Sequence, residues 1–369
     1  MTLVNTCTRC IMDVSDPDIV FDAQGVCNHC HRYEQIAAKR LIPVVDRPAH
    51  LATLVEQIKQ EGKGKPYDCV IGVSGGVDST YVAYLTRELG LRPLAVHFDN
   101  GWNSELAVAN IEKTLKVLGI DLTTYVVDWP EFRDLQLSFL RASTPDGEVP
   151  TDHAIVALLY RTAVAHGLKH VLLGVNVNSE AVMPLKWGYG YSDFRYIKAV
   201  HRQFGTVRLK TYPRYTLRQL FGYMVLRKIR LVPILDFVDY RKEDAMKTIE
   251  SRLAWVYYGG KHYESIYTRF FQSYVLPRKF NIDKRRAHLS NLVLSGQIDR
   301  AEALRLVAEP IYPERGLADD RAYAIKKLGL SDAEFDAIMA LPPKTFLAYP
   351  NSFSRIETVK RLLGRFRRA

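Results

Sequence analysis

Two pairs of cysteines share one spacing. Cys7 and Cys10 are two residues apart, as are Cys27 and Cys30, and 16 residues separate the pairs. Each pair turns two thiolates toward one point, and two such knuckles complete a tetrahedral four-thiolate site. Zn2+ is the expected ion, with an iron–sulfur cluster as the alternative. His29 and His31 read as surface neighbours rather than ligands. The fifth cysteine, Cys69, lies in an apolar run and reads as a small core residue. The first 35 or so residues read as loops and short hairpins, too small a segment to bury a core of its own, so a metal staple is physically sensible.

A second cluster of chemistry is Ser74-Gly75-Gly76-Val77-Asp78-Ser79, followed by Thr80. It lies between an apolar strand and a helix. Two glycines let the backbone curl so that N–H groups meet an anion, and the helix N-terminus adds its own free N–H groups. Ser74, Ser79 and Thr80 offer hydroxyls to phosphate oxygens, and Asp78 suits a Mg2+ that bridges phosphates. The Gly-Lys-Ser/Thr ending of a Walker loop is missing. The bland alternative is a glycine turn with Asp78 complementing the helix dipole.

The elements that must position these groups alternate. Residues 68–73, 93–98, 122–127 and 170–174 read as strands, and 48–62, 80–90, 104–118 and 152–166 as helices. This is α/β, with a doubly wound parallel sheet. Ligands of such sheets sit at the carboxyl ends of strands. Three further segments fall there. Phe98, Asp99 and Asn100, with Gly101 and Trp102, suit adenosine. Thr151, Asp152 and His153 open a helix, where a capping role is the alternative. Gly174, Asn176 and Glu180 follow the fourth strand, and Glu180 is a second candidate for Mg2+.

Past residue 205 the pattern turns basic, aromatic and mostly helical, over 217–228, 242–253, 265–275, 282–295, 300–309, 319–328 and 332–339. The expected division is 1–45, a cysteine knuckle; 46–205, the nucleotide domain; and 206–369, a substrate- or partner-binding region. Residues 205–369 carry 31 Lys and Arg against 17 Asp and Glu, whereas residues 1–204 carry 20 against 23. That half could face nucleic acid, an anionic surface, a polyanionic small molecule or an acidic partner, and a solvated basic face is the plain alternative. With 47% hydrophobic residues among 369, the chain is a globular one of two or three domains. No run approaches the length of a membrane span. No basic region leads into an apolar stretch at the start, so a cytoplasmic location is expected.

Aromatic, Gly and basic residues recur on the expected substrate side. Lys186 and Trp187 lie in Met183–Tyr191, and Tyr258, Lys261 and His262 in Trp255–Ser265. They suit a nucleotide-sugar diphosphate or, as the other reading, single-stranded RNA. Helix packing under a solvated face accounts for the remainder.

The Ser74–Ser79 pattern after a first strand resembles the pyrophosphate-loop (PP-loop) ATP pyrophosphatases, which have an adenine nucleotide alpha hydrolase-like fold. Across almost the whole chain the sequence is similar to the N-acetyl sugar amidotransferases of the WbpG, PseA and LegA type. The residues that carry this are Cys7-Thr8-Arg9-Cys10-Ile11-Met12, Phe21-Asp22…Gly25-Val26-Cys27…Cys30, Ser74 to Ser79, Asp99 to Asn103, Pro150 to Ile155, and Trp255…Tyr258-Gly259-Gly260-Lys261-His262-Tyr263-Glu264-Ser265.

The resemblance implies conversion of an N-acetyl group of a nucleotide-linked or free acetamido sugar to an acetamidino group through an O-adenylyl imidate. The products would serve surface polysaccharide, O-antigen or flagellin glycans. ATP and Mg2+ would bind at Ser74, Gly75, Gly76, Asp78, Ser79, Thr80, Phe98, Asp99, Asn100, Gly174, Asn176 and Glu180. Ser74, Asp78, Ser79 and Lys261 form the implied catalytic set. Asp152, His153, Lys186, Trp187, Tyr258, Lys261 and His262 form the implied substrate set. No glutaminase is evident, so ammonia is expected from a separate glutaminase with a cyclase-like channel subunit, similar to the halves of imidazole-glycerol-phosphate synthase. No nucleic acid is expected. The runner-up is a tRNA-modifying enzyme that adenylates a base carbonyl. Sulfur insertion by such an enzyme would want extra cysteines, and residues 70–369 hold none. A nucleotide-binding sensor without catalysis is the third class.

Overall fold

The computed structural model describes residues 5–260 and 263–358. Its centre is a five-stranded, all-parallel sheet in the order β3-β2-β1-β4-β5. The strands are β1 (Cys69–Gly72), β2 (Pro93–Asp99), β3 (Asp121–Val126), β4 (His170–Leu173) and β5 (Arg230–Pro233). Cys69 pairs with Pro93, Val70 with Val171, Leu94 with Asp121 and His170 with Arg230. The order reverses between β1 and β4, the point at which such sheets open a crevice for ligands.

Helices cover both faces. The first six are α1 (Asn28–Arg40), α2 (Arg47–Gly62), α3 (Val77–Glu88), α4 (Glu105–Leu118), α5 (Trp129–Ala142) and α6 (Val149–Ala165). Then come α7 (Val177–Glu180), α8 (Phe194–Phe204), α9 (Leu217–Phe221) and α10 (Lys242–Leu253). The C-terminal region adds α11 (Ile266–Phe270), α12 (Arg285–Leu294), α13 (Arg300–Ala308), α14 (Glu314–Leu328) and α15 (Asp332–Ala340). Strand side chains alternate between faces, and the alternation splits the core in two. Cys69, Ile71, Ala95, Leu172 and Val232 join Val82, Leu115 and Ile249 from α3, α4 and α10. Val70, Val96, Phe98 and Val171 join Phe132, Leu158 and Ile197 from α5, α6 and α8.

Local chemistry sets the boundaries. The Ser104 side chain accepts from Ala107 N–H, 3.2 Å away, which starts α4, and Gly119 at φ +60° ends it. Four expectations change. A helix, α5, follows Asp128, whose side chain caps it. Helix α3 begins at Val77, not near Thr80. The region 1–35, read as loops, contains the start of α1, with Cys27 at its cap and Cys30 in its first turn. The region past 205, read as mostly helical, supplies β5, a short edge strand whose Arg, Leu, Val and Pro carry no strong strand pattern. No helix among the described residues is long and apolar enough to cross a membrane.

Candidate functional site

The loop Ser74–Ser79 joins β1 to α3 at the order reversal. Gly75 has φ +80°, and a Cβ there would lie 2.6 Å from the Ala107 carbonyl oxygen of α4, so both conformation and space require glycine. The loop is internally braced. Ser74 N–H donates to Ser79 Oγ (3.2 Å), Gly76 N–H donates to Ser74 Oγ (3.3 Å), and Ser79 Oγ donates to the Gly76 carbonyl (3.1 Å). Ser74, Asp78 and Ser79 are partly open, whereas Thr80 is only 3% exposed in the first turn of α3. Thr80 is therefore a buried helix residue, contrary to its expected place among the open phosphate donors.

Two later segments reach this loop. Tyr258 Oη accepts from Val77 N–H (3.2 Å), and Ser74 Oγ donates to Glu264 Oε1 (3.4 Å). Trp255 Nε1 donates to the Gly75 carbonyl (2.9 Å). After β5, the Tyr240 hydroxyl donates to Asp78 Oδ1. Tyr240 and Glu264 stand outside the expected site set. Glu264 lies within the Trp255–Ser265 stretch, whereas Tyr240 carries no local signal and reaches the site only because residues 230–233 form a strand whose carboxyl end lies there.

From β4, Gly174 touches Asp78. A Cβ at Gly174 would lie 3.0 Å from the Asp78 carbonyl carbon and 3.1 Å from its Cβ. Asn176 is 1% exposed, and its side chain accepts from Ser179 N–H (3.0 Å) and donates to the Gly174 carbonyl (3.1 Å). It is a helix cap for α7 and not an open cofactor group. Glu180 ends α7 half-buried, and its charge reaches both Tyr240 and Asp152. Asp78 and Glu180 thus flank the β1–β4 reversal. Hard carboxylate oxygens of this kind fit Mg2+, and these two residues would hold it.

The strand-end loop after β2 is also folded on itself. Asp99 Oδ1 accepts from Gly101 N–H (2.8 Å), and Asn100 Nδ2 donates to Thr151 Oγ1 (3.3 Å). Phe98 and Trp102 are buried, and Trp102 Nε1 donates to Gln136 Oε1 (2.7 Å), so neither ring is an open platform for adenosine. Lys327 of α14 donates to the Gly101 carbonyl and lies 5.0–5.3 Å from the rings of Trp102, Trp129 and Tyr323. These cation–π contacts clamp the C-terminal region to this loop.

The expected substrate residues divide. Asp152 is open to solvent at the first turn of α6, and Tyr258 lies on the loop. Trp187 is core, 1% exposed. Lys186 is paired with Asp18 of the cysteine segment (2.6 Å). His153 is fully buried and satisfied: Nδ1–H donates to the Tyr191 carbonyl (2.6 Å), Nε2 accepts from Tyr215 N–H (3.2 Å), and the ring stacks on Tyr215. The expectations that Trp187 and His153 form a ligand face are therefore corrected. Lys261 and His262 lie outside the described residues.

The four cysteines converge, all fully buried. Their Sγ atoms are 3.6–3.7 Å apart for Cys7–Cys30, Cys10–Cys27 and Cys27–Cys30. A zinc ion with bonds of about 2.3 Å needs tetrahedral edges of about 3.8 Å, whereas a disulfide needs about 2.05 Å. The set fits zinc, and all four residues would hold it. N–H groups of Arg9, Cys10 and Cys27 point at Cys7 Sγ (3.2–3.4 Å), a setting that favours thiolate. Arg300 of α13 donates to the Cys7 and Cys10 carbonyls (2.8 and 3.0 Å), and Arg286 of α12 pairs with Asp13 (3.0 Å). His29, expected at the surface, is buried against Asp16 (2.6 Å).

Two family models match separate stretches of the chain. Residues 50–209 match NAD synthase, and residues 264–363 match the C-terminal domain of the family described as LPS biosynthesis protein WbpG-like. Over 73 residues, 20% of this chain, the sequence is 40% identical to a glutamine-hydrolysing GMP synthase from Pyrobaculum aerophilum, and the match spans 14% of that enzyme's length. An NH3-dependent NAD synthetase from Campylobacter jejuni, solved with nitrate, aligns with 58% of this chain and 87% of its own at 15% identity, with a TM-score of 0.31. A predicted subunit of tRNA methyltransferase from Methanocaldococcus jannaschii aligns with 49% of this chain and 74% of its own at 14% identity, with a TM-score of 0.27. The NAD synthase match thus lies on the sheet and its phosphate loop, and the match to the WbpG-like C-terminal domain opens at Glu264, beside Ser74.

Proposed function

We propose that the chain is an ATP-dependent amidotransferase that turns the N-acetyl group of a nucleotide-linked acetamido sugar into an acetamidino group. The observation that carries this reading is the meeting of Glu264, first residue of the WbpG-like stretch, with Ser74 of the phosphate loop. The C-terminal region thereby faces the atoms that would bind ATP.

An amide oxygen is a poor leaving group, and transfer of AMP to it makes a good one. Ser74, Gly75, Gly76 and Ser79 bind the departing pyrophosphate through N–H and O–H groups on the α3 N-terminus. Asp78 and Glu180 would hold Mg2+, which when bound would supply charge neutralisation at the phosphates. The acetamido oxygen bonds to the α-phosphorus as the α–β phosphoanhydride breaks. Ammonia then adds to the imidate carbon, and the carbon–oxygen bond to AMP breaks. Tyr240 orients Asp78, and the Tyr258–Glu264 segment lies over the loop. The ammonia comes from a separate glutaminase through a cyclase-like channel subunit, and the product enters surface polysaccharide or flagellin glycan synthesis.

The basic half also supports a second reading, adenylation of a tRNA base. Sulfur transfer fits it poorly: Cys69 is buried in β1, and burial pushes its thiol pKa up. The test is a phosphorus NMR assay with Mg-ATP and ammonium chloride, one tube holding UDP-diacetamido sugars and another bulk tRNA. AMP and pyrophosphate only with sugar, and a product with one oxygen exchanged for NH, establish the amidotransferase. AMP only with tRNA establishes the second reading. Absence of turnover that a glutaminase–channel partner does not restore overturns both.

A further inference from the structure

We propose that the outward face of residues 217–228 docks the protein on an anionic lipid bilayer. This face is separate from the phosphate loop, and its test does not depend on the reaction proposed above.

Helix α9 continues through Gly222–Leu226 as one wider helical turn, and none of these residues is buried. Two of them hold the helix to the body. Leu220 and Tyr223 are half-buried against the core, and the Tyr223 ring stacks on Tyr160 of α6 with centroids 4.9 Å apart. A capping box starts the helix: Thr216 N–H donates to Gln219 Oε1 (2.9 Å), and Gln219 N–H donates to Thr216 Oγ1 (3.3 Å). The helix is therefore built before any partner arrives. The rest of it presents Leu217, Phe221, Met224, Val225 and Leu226 to solvent, each 43–75% exposed. Leu217, Phe221 and Val225 succeed one another at intervals of four, which lines them along one side. Contiguous apolar side chains of this size on a surface mark a docking site.

The charge around them identifies what docks. Residues 194–235 contain 10 Lys and Arg and no Asp or Glu. Arg218, Arg227 and Lys228 flank the apolar row and are exposed. A second copy of this face would set like charges against each other. Nucleic acid would meet the cations but leave Leu217, Met224, Val225 and Leu226 in water. An acidic protein would need a pocket for each protruding side chain, whereas a fluid lipid layer needs none. An anionic bilayer accepts both halves of the pattern: apolar side chains enter the boundary between headgroups and acyl chains, and the cations meet lipid phosphates. A span needs roughly 20 apolar residues, so this helix lies in the plane of the surface.

Its place in the fold leaves the nucleotide loop free. Ile229 N–H donates to the Tyr223 carbonyl (2.9 Å), and Arg230 N–H donates to the Lys169 carbonyl (2.7 Å) at the start of β5 and β4. Arg227 and Lys228 thus stand at the amino edge of the parallel sheet. The loop Ser74–Ser79 lies at the opposite, carboxyl edge, and docking does not require it to be covered.

The test is flotation of the full chain with vesicles of phosphatidylglycerol and phosphatidylcholine, with phosphatidylcholine alone as the control. The protein is expected to float with the mixed vesicles only, and less as salt rises. F221S/V225S/L226S and R218Q/R227Q/K228Q are each expected to lower the vesicle partition coefficient by about tenfold or more, with circular dichroism unchanged. Should a triple variant lose its helical signal, single V225S and R227Q take its place. The basic residues 360–368 are intact in every variant, so a loss belongs to this face. Absence of flotation, equal flotation on neutral vesicles, or flotation that the apolar variant leaves unchanged would overturn the proposal. Self-association that the apolar variant abolishes, without vesicle binding, would give the face to a second copy and overturn it as well.

Discussion

The Tyr240 hydroxyl donates a hydrogen bond to Asp78 Oδ1, joining the segment that follows β5 to the first turn of α3. Tyr240 is 2% exposed, so the bond forms where water competes weakly. One Asp78 oxygen is thereby held, and the carboxylate is oriented before a metal arrives. Removing the hydroxyl in Y240F loses a bond to a charged group, worth about 1.5–3 kcal/mol. The Mg2+ concentration for half-maximal AMP formation should rise about tenfold or more. A Mg2+ titration of AMP release checks this, and an unchanged midpoint would count against an orienting role.

Gly174 packs directly on Asp78. A methyl group there would lie 3.0 Å from the Asp78 carbonyl carbon, so the backbone around Asp78 must give by a few tenths of an ångström. G174A should push the end of β4 away from the phosphate loop and cost about 1–3 kcal/mol of stability. Nucleotide turnover should fall about tenfold, since a displacement of less than about 1 Å at a reacting centre costs less than about a hundredfold. Paired urea denaturation and AMP-release assays separate the two losses.

Arg300 holds the carbonyls of both first-knuckle cysteines. Zinc content measured by plasma mass spectrometry should be one per chain and should disappear in C10S. R300A should keep the ion but release it to a chelator more readily, with an affinity reduced about 10–100-fold, as outer contacts of metal ligands commonly show. Full zinc retention in C10S would refute the four-thiolate assignment.

His153 is expected to stay neutral well below the usual histidine range. Burial, opposed by its bond to the Tyr191 carbonyl, lowers its pKa from 6.5 to about 4. The folded value lies below the unfolded one, so the neutral form is the native form. Its contribution to stability is fully present above pH 6.5 and is lost as pH falls from there toward 4. The shift corresponds to about 3 kcal/mol. The carbon NMR signal of the His153 ring should show no titration between pH 7.5 and 5; a midpoint near 6.5 would mean an open ring.

The parts legible in the sequence are those set by local patterns. The apolar runs at 69–72 and 93–99, the Ser104 cap and the Gly119 stop are short-range signals, and each element lies where they put it. The less legible parts involve weak or long-range signals. Strand β5 is four residues long and carries Arg and Pro, so nothing local marks it. Trp102, Trp187, Asn176 and His153 are residue types that suit ligands and cores alike. Only their packing shows them to be core or cap.

By itself, the sequence determined the alternation of strands and helices, the phosphate-loop pattern at 74–79 and the two cysteine knuckles, because period, turn chemistry and spacing act over a few residues. The tertiary structure decided which groups meet. Tyr240 reaches Asp78 across 162 positions, and Glu264 reaches Ser74 across 190. Arg300 reaches Cys7 across 293. These contacts arise from burying two faces of one sheet, and burial is non-directional along the chain. It brings distant residues together without leaving a spacing that can be read beforehand.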